Sequence, residues 1–409
     1  MKKSKLFLTV AIVFTYISLS SQIFDPAQHC IVDANDACVP NTLLTGVPFL
    51  RITPDARSAG MGDTGLATSV DPNAMFHNAS KLAFASNSVG VTASYTPWLR
   101  SLGLTDVYLL NAAGYKRIDD LQTIGLDLTF FSLGDLNFTD FNGNPLGEGK
   151  PRELSLSFAY ARKLSNNFSA GLTVKYINSN LATGFSSSGT PIVSARAFAA
   201  DISFTYKKSI GQNELTIGSA ISNLGSGISY TNSVFRDYLP ANLGIGSTYK
   251  LGLDNYNTIS FSIDFNKQLV PTPIALRIKD STGAGAVNPA YDADNNGIAD
   301  FREKSTFEGV IESFGDAQGG FSEEMKEITI AMGVEYVYDN QFAVRTGYFH
   351  ESFLKGDRKF ITVGLGVNYN VVGLNLSYLV PTNNRRSPID NTLRFSVNLN
   401  FGSAGESAS

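Results

Sequence analysis

Between Val89 and Phe401 the chain repeats one pattern: stretches in which apolar side chains alternate with small or polar ones. Each stretch is about ten residues, the length a tilted strand needs to cross a bilayer. Leu154, Leu156, Phe158 and Tyr160 alternate with Ser155, Ser157 and Ala159. The same spacing runs through Phe168, Leu172, Val174 and Tyr176, through Ile259, Phe261, Ile263 and Phe265, through Ile328, Ile330, Met332, Val334 and Tyr336, and through Ile361, Val363, Leu365, Val367 and Tyr369. A period of two demands extended backbone, because only a strand turns successive side chains to opposite faces. Segments near 88–97, 105–116, 121–132, 152–163, 167–178, 195–207, 213–223, 240–250, 256–267, 326–338, 341–351, 358–370, 371–380 and 391–401 predict an all-β fold of about fourteen antiparallel strands.

A soluble β-sandwich would alternate as well, and the strand ends separate the two readings. Tyr95, Tyr115, Tyr160, Tyr176, Tyr206, Tyr249, Tyr338, Tyr369 and Tyr378 sit near the limits of their segments, where amphipathic rings meet the two membrane interfaces. The links alternate in length. Short ones fall at Arg117–Leu121, Lys163–Asn167, Lys207–Asn213, Leu251–Tyr256, Asp339–Gln341 and Asn370–Val371; longer ones occupy Ser132–Pro151, Asn178–Ser194, Leu224–Leu239, Gln268–Glu324 and Pro381–Asp390. Outer-membrane barrels combine short periplasmic turns with longer extracellular loops in this way. The expectation is a single transmembrane outer-membrane β-barrel over 88–401 with a long extracellular loop at 268–325, a tail at 402–409, and both termini periplasmic.

The first residues name the compartment. Lys2, Lys3 and Lys5 precede an apolar run from Leu6 to Leu19 and small polar residues up to Ser21, which reads as a secretory signal peptide over 1–21. No later apolar stretch approaches the roughly 18 residues a spanning helix requires. Charged residues make up only 17% of the chain, so low charge without apolar runs favours strands over helices as the membrane crossing. The net charge of −4 offers no basic footprint for nucleic acid. Export permits a disulfide between Cys30 and Cys38, the only cysteines, as a small periplasmic clip; two unpaired thiols in a mobile leader is the other reading.

The polar faces of the strands carry Ser, Thr and Gly together with Asp127, Asp264, Glu335 and Arg394, which predicts a polar lumen with room inside. Residues 22–87 precede the first strand. Their later part, 41–87, lacks alternation and is rich in small residues and turns, so it folds into the lumen as a plug or stays outside as a periplasmic leader.

That same stretch carries a resemblance. Pro54-Asp55-Ala56-Arg57-Ser58-Ala59-Gly60-Met61-Gly62-Asp63-Thr64-Gly65-Leu66-Ala67, followed by Asp71-Pro72-Asn73-Ala74-Met75-Phe76-His77-Asn78-Ala79-Ser80-Lys81-Leu82-Ala83, resembles the N-terminal signature of the PorV family, part of the wider FadL-like barrel superfamily. A late block, Gly333 to Tyr336 and Gln341 to Phe349, is similar to that family as well. The resemblance implies a FadL-like barrel of the type IX secretion system. Such a protein caps the lateral opening of a large translocon barrel, binds the C-terminal signal domain of secreted cargo, and carries it to the sortase-containing attachment complex. Outer-membrane lipid would surround it, and it would perform no chemistry. The superfamily supplies a rival, an outer-membrane transporter of hydrophobic compounds, and a lipid-modifying barrel enzyme is a third.

The link 268–325 is far longer than a hairpin needs, and Pro271 and Pro273 break any strand there, so it is expected to carry recognition. Within it, Asp292-Ala293-Asp294-Asn295-Asn296-Gly297-Ile298-Ala299-Asp300-Phe301-Arg302-Glu303 matches the calcium-loop pattern in full. Oxygens of Asp292, Asp294, Asn296, Ile298 (through its carbonyl), Asp300 and Glu303 would surround a structural calcium, the one cofactor considered; a solvated acidic turn is the alternative. His29, His77 and His350 fall on separate segments, and no nucleophile elbow, HExxH or Walker loop is present, so no catalytic residue is expected.

Overall fold

The computed structural model describes residues 22–100, 103–139, 142–187, 190–231, 236–383 and 391–403; the expected signal peptide over 1–21 and the part of the expected tail beyond 403 lie outside them. Fourteen strands, labelled β1 to β14 in chain order, span Asn87–Pro97, Val107–Arg117, Gln122–Leu133, Arg152–Lys163, Phe168–Asn180, Ala195–Ile210, Asn213–Gly225, Asn242–Gly252, Asn257–Gln268, Ile328–Tyr338, Phe342–His350, Lys359–Tyr369, Val372–Pro381 and Leu393–Ser403. Each pairs antiparallel with the next, and β14 returns to β1 through Phe401 opposite Val89 and Ser403 opposite Asn87. Closure leaves no sheet edge, so every strand finds its backbone partners within the ring.

The side-chain parity read from the sequence holds along the ring. On β4, Glu153, Ser155, Ser157, Ala159 and Ala161 are buried inside, while Leu156 and Phe158 are 43% and 48% exposed outside. Leu126, Leu172, Val174, Phe198, Val344, Leu365 and Leu374 are likewise exposed by more than half. A soluble sandwich would bury such groups; a ring turned apolar side out has hydrocarbon as its solvent.

Tight turns occupy one end of the barrel, with left-handed backbone at Gly211, Asp339, Asn340 and Asn370, as short hairpins require. The longer connections all lie at the other end. Of the tyrosines assigned to the interfaces, Tyr206, Tyr338, Tyr369 and Tyr378 are exposed outside, whereas Tyr115 turns inward. Its position on β2 shares the inward parity of Ala113, and Gly90 directly opposite leaves space for the ring.

Residue 22 lies at the long-loop end. Ile23–Asp25 pairs in parallel with Arg277–Lys279 from the long loop, and with Cys30–Val32 and Gly285–Val287 these form a four-stranded cap sheet. The chain then descends through the lumen and emerges at Asn87, where β1 begins at the tight-turn end. The expectation of two periplasmic termini is therefore corrected: the two ends of the described chain stand at opposite faces. An even strand count fixes only Asn87 and Ser403 to one face, and it is silent on the segment before the first strand. Cys30 and Cys38 are joined, within the cap at the long-loop end. The leader reading of 41–87 gives way to the plug.

Candidate functional site

The plug runs from about Thr53 to Phe84 and contains only short helical turns, Ala56–Ala59, Ala74–His77 and Ala79–Phe84. Such turns satisfy few of their own N–H groups, so the polar wall must supply acceptors. Asp55 caps the first turn, accepting from Ser58 N at 2.8 Å. Ala56 N donates to Ser396 Oγ at 2.8 Å, Gly62 N to Thr362 Oγ1 at 2.9 Å, and Gly65 and Leu66 N to Asp264 Oδ2 at 2.7 and 2.9 Å. Further along, the Asn78 amide donates to Phe204 O and Thr205 Oγ1, and Ser169 Oγ donates to Ser80 O. The apolar half of the plug, Ala74, Met75, Ala79, Leu82 and Ala83, packs on Ala113, Tyr115, Ala159 and Ala161 of the wall. The residues 54–67 and 71–83 singled out in the sequence are thus the stopper of the barrel.

At one contact glycine faces glycine. Gly62 has φ +69, and a Cβ there would lie 2.7 Å from Met332 O and from Tyr348 N and O. A Cβ on Gly347 would lie 2.1 Å from Gly62 N. Backbone meets backbone here, with no flexible side chain to move aside.

One charged knot fastens the plug to the wall. The Arg57 guanidinium grips both Glu335 oxygens, at 3.0 and 2.9 Å, and reaches Asp71 at 2.8 Å. Arg345 Nε reaches the same Glu335 at 2.7 Å and its Nη1 donates to Asn375. Glu335 and Arg345 are buried, and bidentate pairing is what makes burial of such charges tolerable. Lys81, also buried, donates to Gly65 O and Thr68 Oγ1.

A second network knits the long-loop end. Lys267 Nζ lies 2.8 Å from Glu324 and 2.6 Å from Glu327, while Lys355 Nζ lies 2.6 Å from Glu323 and 3.0 Å from Glu327. Asn41 donates to Pro273 O and Glu323, so the N-terminal segment, the long loop and the link after β11 share one set of partners. Burial alone would raise the Glu323 carboxyl, but the Lys355 ammonium beside it holds it below the ordinary range. In the cap sheet Lys279 bridges Asp25 and Asp36; its hydrogen bond brings Asp25 down to about 2 against the opposing effect of burial. Below the cap, Val47, Phe49 and Leu50 pack with Leu109, Phe131, Ile177 and Leu239. Between cap and plug lies a cavity of about 130 Å³ lined by Arg51, Lys175, Asp264, Gln268, Glu351 and Arg358 among others. Its charged and amide groups suit water.

The candidate calcium ligands are only partly convergent. Carboxylate oxygens of Asp292, Asp294 and Asp300 lie within 4.8 Å of one another. Asn296 instead donates from its amide to Asp294 and Glu303, accepts from Ile298 N, and receives no metal-facing role from these bonds. Gly297 takes the left-handed turn the pattern requires. Of the histidines, His77 approaches Asp55 at 3.4 Å within the plug, His350 lies beside Tyr348 at the end of β11, and His29 lies in the cap. The sequence reading placed Asp264, Glu335 and Arg394 inside the lumen but missed their plug partners, and it missed the Lys267–Lys355 network. The Glu323-Glu324-x-x-Glu327 run was a visible signal of clustered charge, but its partners Lys267 and Lys355 are distant in sequence.

A closed ring, apolar outside and stoppered by its own N-terminal segment, defines a plugged membrane-type β-barrel of the outer membrane. The family model described as type IX secretion system protein PorV matches residues 35–275, which takes in the plug and the first nine strands. The chain belongs to the PorV family of the type IX secretion system. Among solved structures it is similar to the Pseudomonas putida toluene transporter TodX, at 13% identity and a TM-score of 0.47 over 85% of this chain and 98% of that one. It is also similar to the Ralstonia pickettii toluene transporter TbuX, at 11% identity and 0.47 over 85% and 98%, and to a Pseudomonas aeruginosa FadL homologue, at 11% and 0.44 over 86% and 99%. No curated protein matches the sequence.

Proposed function

We propose that this barrel is a cargo carrier of the type IX system, which receives the C-terminal signal domain of a secreted protein at a large translocon barrel and delivers it to the sortase-containing attachment complex. Family membership carries the reading. The architecture supports it in two ways. The lumen is stoppered by segments bonded to the wall, which suits a scaffold better than a conduit. The long loop, the N-terminal cap and the link after β11 are tied into one platform, taken here as extracellular, with the tight turns periplasmic. Cargo and translocon would meet that platform and the adjoining wall. The rival, a route for hydrophobic compounds, would gain support from an apolar passage between loops and wall; the charged lining of the lumenal cavity favours the carrier.

Affinity purification from the native membrane tests this. The intact chain should recover a very large barrel and cargo bearing a C-terminal signal, and replacing 274–320 by a short linker should abolish cargo recovery while the barrel still folds. Recovery of the chain alone, with secretion intact in a deletion strain, would end the carrier reading.

A further inference from the structure

Over β9 to β12 the outer wall carries a depression of about 510 Å³ that neither the plug nor the loop platform uses. Phe261, Ile263, Met332, Val334, Tyr348 and Ile361 line it from the lipid side. Phe261, Met332 and Ile361 stand at its margin, 46%, 42% and 45% exposed, while Ile263, Val334 and Tyr348 are half-buried. Gly333 and Gly347 are directly paired on β10 and β11, and the plug backbone at Met61–Gly62 occupies the space their side chains would have filled. Plug backbone thus lies directly behind this stretch of wall, whose outward positions carry Met332, Val334, Thr346 and Tyr348.

We propose that this depression seats one acyl chain of an outer-leaflet lipid. The occupant must come from the hydrocarbon, because the site opens on the lipid-facing band in the middle of the strands. Its polar side chains are Thr346, Tyr348 and Ser262, the last already bonded to Thr248, so a protein partner would find little polar anchorage, whereas a flexible alkyl chain restores the dispersion contacts that an unfilled hollow forfeits. The band also continues upward. From Met332 it passes Ile330 and Ile328 to Met325 and Phe321, 50% and 80% exposed on the short helix Phe321–Lys326. The other face of that helix, Glu323 and Glu324, is held by Lys355 and Lys267, which fixes the apolar face outward toward the membrane boundary. A chain lying in the depression thus has an apolar track leading toward the level of its headgroup.

Native mass spectrometry of the full barrel, extracted from its own membrane in mild detergent, reads the site. The wild type should retain one lipid. Ile263→Trp and Met332→Trp, which fill the depression, should lower the lipid-bound fraction at least tenfold, and Val367→Trp, exposed on β12 outside it, should leave the fraction unchanged. The heat-dependent gel shift of folded barrels confirms that each variant is closed. A photoreactive residue at position 332 keeps the test open should the tryptophan variants fail to fold, and it should form lipid adducts in intact cells. No retained lipid, equal retention in all variants, or adducts to protein alone would overturn the proposal.

Discussion

At Gly62 the plug lies against the wall's main chain at Met332 and Tyr348, and only glycine fits the space. Gly62→Ala adds a methyl group that must displace Met332 or Tyr348 main chain from the ring, so the plug should yield first. Planar-bilayer recordings should show a silent wild type and stepwise conductance in the variant. Arg57 presents a different kind of dependence. Removing it leaves Glu335 with Arg345 as its remaining cation, so the cost stays below the roughly 3–5 kcal/mol of leaving a buried charge unpaired. The unfolding midpoint of Arg57→Ala, followed by the gel shift, should fall accordingly, and Arg57→Lys should fall by less, since charge survives but the bidentate grip does not. For the acidic turn, calorimetry should detect one weak-to-moderate calcium site that disappears in Asp292→Ala; a flat titration of the wild type would remove calcium from the description. Single residues were legible in proportion to how local their constraint is. Inward parity exposed Asp264 and Glu335 at once, whereas Arg57, some 278 positions from Glu335, is a partner that only the folded chain reveals.

Among the elements, strands and turns followed directly from period and spacing, because a hairpin is decided by its own neighbours. The cap sheet was invisible for the opposite reason: Ile23–Asp25 and Arg277–Lys279 are short, distant in sequence and parallel, and neither has enough alternation to announce a strand. Its ion pairs make it sensitive to acid. Asp25 is depressed to about 2 from an ordinary value of 3.8, so its contribution is present in full above about pH 4 and is lost as pH falls toward 2. Hydrogen exchange at residues 23–32 should therefore accelerate between those limits while the barrel strands stay protected. Lys279→Met should show the fast exchange already at neutral pH; unchanged protection in that variant would separate the cap from its charges.

For the whole molecule, the sequence carried enough to predict a closed barrel, since exposed apolar faces and alternating link lengths are global features written locally. It was less informative about direction, because parity of strand count concerns only the ring. The two described ends lie on opposite faces, so in intact cells a peptide tag inserted before Ile23 should be reached by an impermeant label, and one placed after Ser403 should be reached only after lysis. The reverse pattern would invert the assigned orientation, and labelling of both, or of neither, would contradict ends on opposite faces.

That path through the ring also bears on biogenesis. The seam between β14 and β1 joins the last strand to the strand that follows the plug. A finished ring bonded to its stopper would offer no vacant lumen through which residues 22–50, with their disulfide-linked loop, could later be drawn to the far side. The expected order is accordingly closure of the ring around a segment already laid across it, and in a pulse-chase residues 22–50 should become reachable at the far face before the β14–β1 seam resists heat; the opposite order would overturn it.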